Sequence, residues 1–225
     1  MTQLNETNMK RCLIFANGAP NDGPMVRDVL TSAPDALTIA ADGGARVAGY
    51  FGRRVDIVIG DMDSLEEDEI QRLAVAGTDI VRFPEHKDET DLELALLRAA
   101  DAGVQWIRII GGLGDRFDQT LANVYLMGLP QLAELDVALV AGKERLCLLK
   151  PGSHTLRGEA GDTLSLIPLG GDVTGVTTER LSYPLKGETL YFGPARGISN
   201  VFDEATCQVS LVSGVLLAVH TYGRA

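Results

Sequence analysis

The stretch Ile57-Val58-Ile59-Gly60-Asp61-Met62-Asp63-Ser64 decides how this chain is read. An apolar run stops at a glycine, two aspartates follow two residues apart, and a serine stands where a helix would open. This is the pattern of a buried strand handing carboxylates to the rim of a sheet. In extended chain, side chains two residues apart point the same way, so Asp61 and Asp63 would present a pair of oxygens to one hard cation. The same spacing also fits a solvated Asp63 beside a Ser64 helix cap, and the motif alone leaves both readings open.

Outward from this point the pattern repeats. Short apolar runs at 12–16, 37–41, 55–59, 80–83, 106–110 and 137–140 read as buried strands, each closed by Gly, Pro, Asn or Asp within two residues. Helices are expected over 24–32, with Pro24 in the first turn, then up to Tyr50, from Ser64 to about 76, over 91–102 and over 117–127. Ser64-Leu65-Glu66-Glu67 and Thr90-Asp91-Leu92-Glu93 both have the capping-box form. Leu92, Ala95, Leu96 and Ala99 then recur at helical spacing. Strands alternating with helices predict an α/β fold with a mainly parallel sheet flanked by helices.

Beyond Lys150-Pro151-Gly152 the helical spacing disappears. Alternating runs such as 163–167, 189–192 and 208–212, separated by Gly- and Pro-containing turns, predict a small all-β domain, sandwich- or barrel-like. The expected division is an α/β domain over 1–145 and a β domain over 146–225.

Composition bounds the function. The 225 residues are 45% hydrophobic, enough for a real core, and carry a net charge of −11. That charge argues against a nucleic-acid binder, which needs a basic face to neutralise phosphates. An anionic ligand would need bridging cations or a local basic patch. Cys12, Cys147 and Cys207 are far apart with no CxxC spacing, which fits a reducing compartment and no structural zinc. No segment has the length of a membrane span, and the polar first ten residues lack the apolar core of a signal peptide. A cytoplasmic protein with no membrane partner is expected.

In parallel sheets ligands bind outside the carboxyl ends of the strands. Those ends carry Asn17-Gly18, Asp42-Gly43-Gly44, Asp61 and Asp63, the 87–91 segment and the 111–118 segment. Lys87, Asp88 and Asp91 are either a surface cluster that complements a helix N-terminus or contacts to a metal–phosphate complex. Gly111-Gly112-Leu113-Gly114-Asp115-Arg116-Phe117-Asp118 joins a strand to a helix; its glycines allow close backbone approach, and Arg116 suits bidentate phosphate binding. It is neither GxxxxGK[ST] nor a clean GxGxxG. His86, His154 and His220 show no metal spacing.

Taken in order, Ala41-Asp42-Gly43-Gly44-Ala45, Gly60-Asp61-Met62-Asp63-Ser64, Asp88-Glu89-Thr90-Asp91 and Gly111 to Asp118 resemble thiamine pyrophosphokinases. In the β segment, Val176-Thr177-Thr178, Leu181-Ser182-Tyr183 and Gly197-Ile198-Ser199-Asn200 extend the likeness over nearly the whole chain. The resemblance implies transfer of a diphosphoryl group from ATP to thiamine, giving thiamine diphosphate and AMP. It implies Mg²⁺ held by Asp61, Asp63 and Asp91, with Asp42, Asp118 and Arg116 at further active-site positions. Asn17, Gly43, Gly44, Lys87, Gly111, Gly112 and Gly114 would lie on the ATP side. Tyr183 matches an aromatic position, tryptophan in some members, that packs on thiamine, with Ser199 and Asn200 in a turn at the same site. A homodimer with sites shared between chains is implied. The alternatives are another Mg²⁺-dependent nucleotide diphosphotransferase, for example on a pterin alcohol, and a non-catalytic nucleotide- or thiamine-binding module.

Overall fold

Six short aliphatic runs build the sheet of the first unit. In the computed structural model, which describes residues 10–224, they are β1 (Arg11–Phe15), β2 (Leu37–Ala41), β3 (Ile57–Gly60), β4 (Asp79–Arg82), β5 (Trp106–Ile110) and β6 (Asp136–Ala141). The polar N-terminal stretch through residue 9 lies outside the described residues. The helices α1 (Pro24–Ser32), α2 (Gly44–Tyr50), α3 (Glu67–Val75), α4 (Asp91–Asp101) and α5 (Phe117–Leu126) alternate with the strands. Parallel pairing gives the order β4-β3-β2-β1-β5-β6. The α/β architecture expected from the alternation is present.

Parallel strands need crossovers, and the crossovers cover both faces of the sheet. Leu13 and Phe15 of β1 join Val26, Val47, Ala48 and Ile70 from α1, α2 and α3 in one buried cluster. On α4, Leu92, Ala95, Leu96 and Ala99 are buried, and the helix packs on β1, β2 and β3. Thr90 caps α4, its Oγ1 accepting from the Glu93 amide at 3.2 Å. Ser64 does not cap α3: the helix begins at Glu67, and the Glu69 carboxylate accepts from the Glu66 amide at 2.9 Å. The capping box is displaced by two residues because Ser64 Oγ donates to Asp63 Oδ1 instead.

The first compact unit ends at Gly142 and the second begins at Lys143. A division after residue 145 would cut the first strand of the second unit, β7 (Glu144–Leu149). The sequence signal came late because β6 and β7 are both apolar runs, and helical spacing is missing only after them. The remaining strands are β8 (Gly152–Arg157), β9 (Thr163–Pro168), β10 (Val173–Glu179), β11 (Lys186–Leu190), β12 (Asn200–Val201), β13 (Thr206–Leu211) and β14 (Leu216–Thr221). Within this unit β12-β9-β14-β7 and β11-β10-β13-β8 form two antiparallel sheets. Alternate residues such as Cys207, Val209 and Leu211 of β13 and Leu216 and Ala218 of β14 point into one core, as a sandwich requires. His220, which no metal pattern claimed, is buried 2.6 Å from Asp162 Oδ2, where it closes the unit's C-terminal strand onto the segment before β9. The three cysteines are free thiols, and burial pushes Cys12 up to about 12 and Cys207 to about 11. Among the described residues no helix is long and apolar enough to cross a membrane.

Candidate active site

The site is assembled from residues just past strand ends. β2 and β3 are parallel neighbours with Ala41 opposite Ile59, so Asp42 falls level with Gly60 and Asp61 emerges one residue beyond it. The Asp42 amide donates to the Ile59 carbonyl at 2.9 Å, and Asp42 takes φ 46°, a left-handed conformation that aspartate tolerates. Gly60 has φ 149°, and a Cβ there would lie 2.9 Å from the Asp91 carboxylate. Glycine therefore lets Asp91, the first residue of α4, reach over the end of β3. One carboxylate oxygen each from Asp42, Asp61 and Asp91 lies within 4.8 Å of the others.

This donor set fits a hard divalent cation. All three ligands are oxygens, as Mg²⁺ prefers. Asp42 is only 3% exposed, and its Oδ1 has no hydrogen-bond partner, so a buried acceptor faces the cluster unsatisfied. Lys87 Nζ stands 3.2 Å from Asp61 Oδ2 and 3.0 Å from Asp91 Oδ1. Burial works against the Asp61 carboxylate, yet the Asp63 amide and the Lys87 ammonium outweigh it and lower its pKa. For Asp91 burial wins and the pKa is raised, despite the same lysine.

Asp63 does not join this group. Met62 has φ 69°, so the chain is not extended across Asp61-Met62-Asp63, and the strand alternation that would pair the two side chains does not hold. The Asp63 amide instead donates to Asp61 Oδ1 at 3.2 Å. Asp63 is exposed on the wall of the cavity described next, and the carboxylate beside Asp61 is Asp42. The signal for Asp42 was its offset, one residue past its strand just as Asp61 follows Gly60, which matters only once β2 and β3 are known to be neighbours.

A cavity of about 660 Å³ opens over the carboxylates. Asn17, Gly18, Lys87, Gly111, Gly112 and Gly114 line it. The strand order reverses between β1 and β5, and there the two glycine segments meet: the Gly18 amide donates to Gly111 O at 2.9 Å. A Cβ on Gly18 would sit 2.4 Å from that carbonyl, and one on Gly111 would sit 2.4 Å from Ala16 O. Gly43 and Gly44 are not on the cavity wall. Their lack of Cβ is needed for packing, against the Asn17 side chain at 2.4 Å and the Phe15 carbonyl at 1.9 Å. Arg116 lines the cavity, but its guanidinium pairs with Asp118, which does not. Residues missed by motif reading are Gln119, Thr120 and Asn123 on the same wall. Thr120 Oγ1 accepts from the Gly114 amide at 3.3 Å, and Asn123 Nδ2 donates to Gly112 O at 2.8 Å. Their spacing from Arg116, every three or four residues, was a readable polar helix face.

An ion pair ties together the turns that carry Asp42 and Asp61. Arg46 on α2 donates to both oxygens of Glu69 on α3, at 2.8 and 2.5 Å. Arg46, aided by the Glu66 amide, lowers the Glu69 pKa from 4.5 to about 2. A depressed carboxylate stabilises the folded state above its unfolded pKa and loses that contribution as pH falls through the folded value. The stability difference between the parent protein and Glu69→Gln is therefore expected to shrink from pH 5 to pH 2, read by denaturant midpoints across that range. A constant difference would contradict this role for the pair.

In the second unit the predicted residues form one turn. Asn200 is buried and its amide brackets Tyr183: Oδ1 accepts from the Tyr183 and Val201 amides at 3.0 and 2.9 Å, and Nδ2 donates to Tyr183 O at 2.7 Å. Ser199 has φ 58°, and its amide donates to Ser165 Oγ at 3.1 Å. The Tyr183 side chain is left exposed. Asn200 is thus a positioning residue whose polar atoms are already engaged. Asn200→Ala strands three backbone groups and is expected to destabilise the protein by about 2–3 kcal/mol. Thermal unfolding of this variant and of Ser199→Ala checks it, because Ser199 contributes only its backbone here.

Comparison with known proteins adds to this geometry. A family model described as "Thiamin pyrophosphokinase, catalytic domain" matches residues 30–139, and "Thiamin pyrophosphokinase, vitamin B1 binding domain" matches residues 153–216. The thiamine pyrophosphokinase of Bacillus subtilis (strain 168) is 28% identical over 216 residues, which span 95% of this chain and 99% of that protein. Thiamine pyrophosphokinase 1 of Oryza sativa subsp. japonica is 26% identical over 174 residues, 73% of this chain and 65% of that protein. The crystal structure of the Bacillus subtilis protein superposes with a TM-score of 0.83 at 28% identity, covering 95% and 99% of the two chains.

Proposed function

This chain belongs to the thiamin pyrophosphokinase family, and on that premise we propose that it transfers a diphosphoryl group from ATP to thiamine, yielding thiamine diphosphate and AMP. The thiamine hydroxyl oxygen bonds to the β-phosphorus, the bond from that phosphorus to the oxygen bridging it to the α-phosphate breaks, AMP leaves with that oxygen, and the hydroxyl proton passes to solvent. One observation carries the reading: a three-carboxylate cluster and two glycine segments share one cavity at the carboxyl ends of parallel strands.

Phosphoryl transfer asks a protein mainly for positioning and charge stabilisation. Asp42, Asp61 and Asp91 are the residues that would hold Mg²⁺, with Asp63 on the wall of the same cavity. Bound there, the ion would neutralise phosphate charge and orient the transferring group. Asn17, Gly18 and the Gly111–Gly114 segment bring the backbone close to the nucleotide, and Arg116 exchanges Asp118 for a phosphate oxygen. Tyr183, held by Asn200, supplies an aromatic face for the cationic thiamine ring. The acidic net charge is compatible with these substrates, since ATP arrives as a metal complex and thiamine is a cation. The resemblance supports a homodimer, which light scattering reads directly, and the free cysteines support a cytoplasmic setting.

Incubation with ATP, Mg²⁺ and thiamine tests the reaction. AMP and thiamine diphosphate should appear in equal amounts, whereas ADP as the stoichiometric product would replace the proposal with a monophosphate kinase. Tyr183→Ala is expected to raise the thiamine KM about fivefold while leaving the ATP KM within twofold, in line with about 1 kcal/mol for a cation–aromatic contact. An effect confined to ATP would remove Tyr183 from the thiamine side.

A further inference from the structure

Lys87 sits where a cation is wanted. Its side chain is 10% exposed, and Nζ lies 3.2 Å from Asp61 Oδ2, 3.0 Å from Asp91 Oδ1 and 3.5 Å from the Pro84 carbonyl. Hydrogen bonds to Asp61 Oδ2 and the Pro84 carbonyl take two of the three ammonium donors, and Asp91 Oδ1 is an ion-pair contact. A lysine poised only for phosphate would hold its ammonium out in the open cavity. This one instead bridges two of the three carboxylates that fit a divalent ion. Asp42 Oδ1 and Asp91 Oδ1 are both buried without a hydrogen bond, so the lysine satisfies the cluster only in part.

Charge and geometry then conflict once a divalent ion arrives. Three carboxylates and one ammonium sum to −2, which attracts the ion. Yet Lys87 and the ion would compete for the same oxygens on Asp61 and Asp91, and two cations a few ångströms apart repel strongly. Lys87 lies between β4 and α4, outside any helix or strand, and on the cavity wall. Its four-methylene stem can re-aim without disturbing either element.

We propose that Lys87 is a built-in placeholder for the divalent cation: it clamps Asp61 to Asp91 in the metal-free protein and is displaced into the cavity when the ion binds. The displaced ammonium then faces the space assigned to the phosphates, so cation binding creates an anion contact that the metal-free protein lacks. This rests on the cation role of the carboxylates in the preceding reading, but not on thiamine as the substrate.

Two measurements without turnover test it. Lys87 acetylation by acetic anhydride, mapped by mass spectrometry, should be slow in the metal-free protein and rise at least threefold in saturating MgCl₂, with the exposed Lys143 and Lys186 as unchanged references. Calorimetric titration with MgCl₂ should show Lys87→Met binding the ion at least tenfold more tightly than the parent, once its thermal melt shows it to be folded. Unchanged or reduced Lys87 labelling with Mg²⁺ bound overturns the displacement. Equal or weaker Mg²⁺ affinity in Lys87→Met overturns the competition, and no detectable Mg²⁺ binding by either protein overturns the placeholder altogether. A failed thiamine assay would leave these outcomes untouched and count only against the proposed reaction.

Discussion

Asp61→Asn and Asp91→Asn are each expected to lower kcat by about 10³-fold while the protein stays folded. The substitution keeps shape and removes one charged oxygen ligand. Metal stabilisation of phosphoryl charge is worth several kcal/mol, and about 4 kcal/mol corresponds to that factor. Folding should survive because the cluster crowds three carboxylates within 4.8 Å, and removing one charge relieves repulsion. Asp42→Asn should behave alike, since its buried Oδ1 faces the same group. Asp63→Asn should cost distinctly less, because its carboxylate stands outside the cluster. The check is kcat across a Mg²⁺ titration for all four variants, with circular dichroism as the folding control. Near-parental rates in Asp61→Asn and Asp91→Asn would remove the cation from this position. A larger loss in Asp63→Asn than in Asp42→Asn would mean that the 61–63 turn rearranges when the ion binds.

Gly60→Ala should damage the site and the fold together. Gly60 has φ 149°, where a Cβ is strained, and that Cβ would lie 2.9 Å from Asp91 Cγ and Oδ1 and 3.2 Å from Asp42 Cβ. Backbone strain of this kind is worth about 2–3 kcal/mol, or about 4–12 °C of Tm in a chain this long. The added methyl also pushes Asp91 from its neighbours, so Mg²⁺ affinity and kcat should each fall about tenfold or more, a displacement of one ligand being enough for that. Thermal melts and calorimetric Mg²⁺ titration read the two effects separately. Gly103→Ala is the contrast. It also has positive φ, at 70°, but a Cβ there meets nothing within 4 Å, so it should lower Tm and leave Mg²⁺ affinity alone. A Gly60→Ala protein with parental Mg²⁺ binding would show that Asp91 is not held as described.

Much of the fold was legible because it is written in local periodicity. The runs at 37–41 and 106–110 coincide with β2 and β5, and Pro24 marks the start of α1. Thr90 caps α4 as its pattern required. Local rules failed where two local options competed. Ser64 satisfied Asp63 rather than α3, so the helix began later. Gly43 and Gly44 looked like ligand glycines, but backbone packing against Asn17 and Phe15 explains them. Arg116 was legible as a cavity residue, whereas its pairing with Asp118 was not.

By itself, the sequence determined the alternation of strands and helices, the change to short β strands near residue 150, and the strand-end placement of Asp42, Asp61, the glycine segments and Arg116. Its resemblance to thiamine pyrophosphokinases also named a substrate that spacing does not encode. Only the tertiary structure decided which carboxylates meet. Asp61 and Asp63 are neighbours in sequence, yet the left-handed turn at Met62 separates them. Asp42 and Asp91 are remote in sequence, yet the pairing of β2 with β3 and the missing Cβ of Gly60 bring both to Asp61. Periodicity reports which way a side chain points within its own element. Convergence depends on sheet order and on one backbone dihedral, and neither is a property of local sequence.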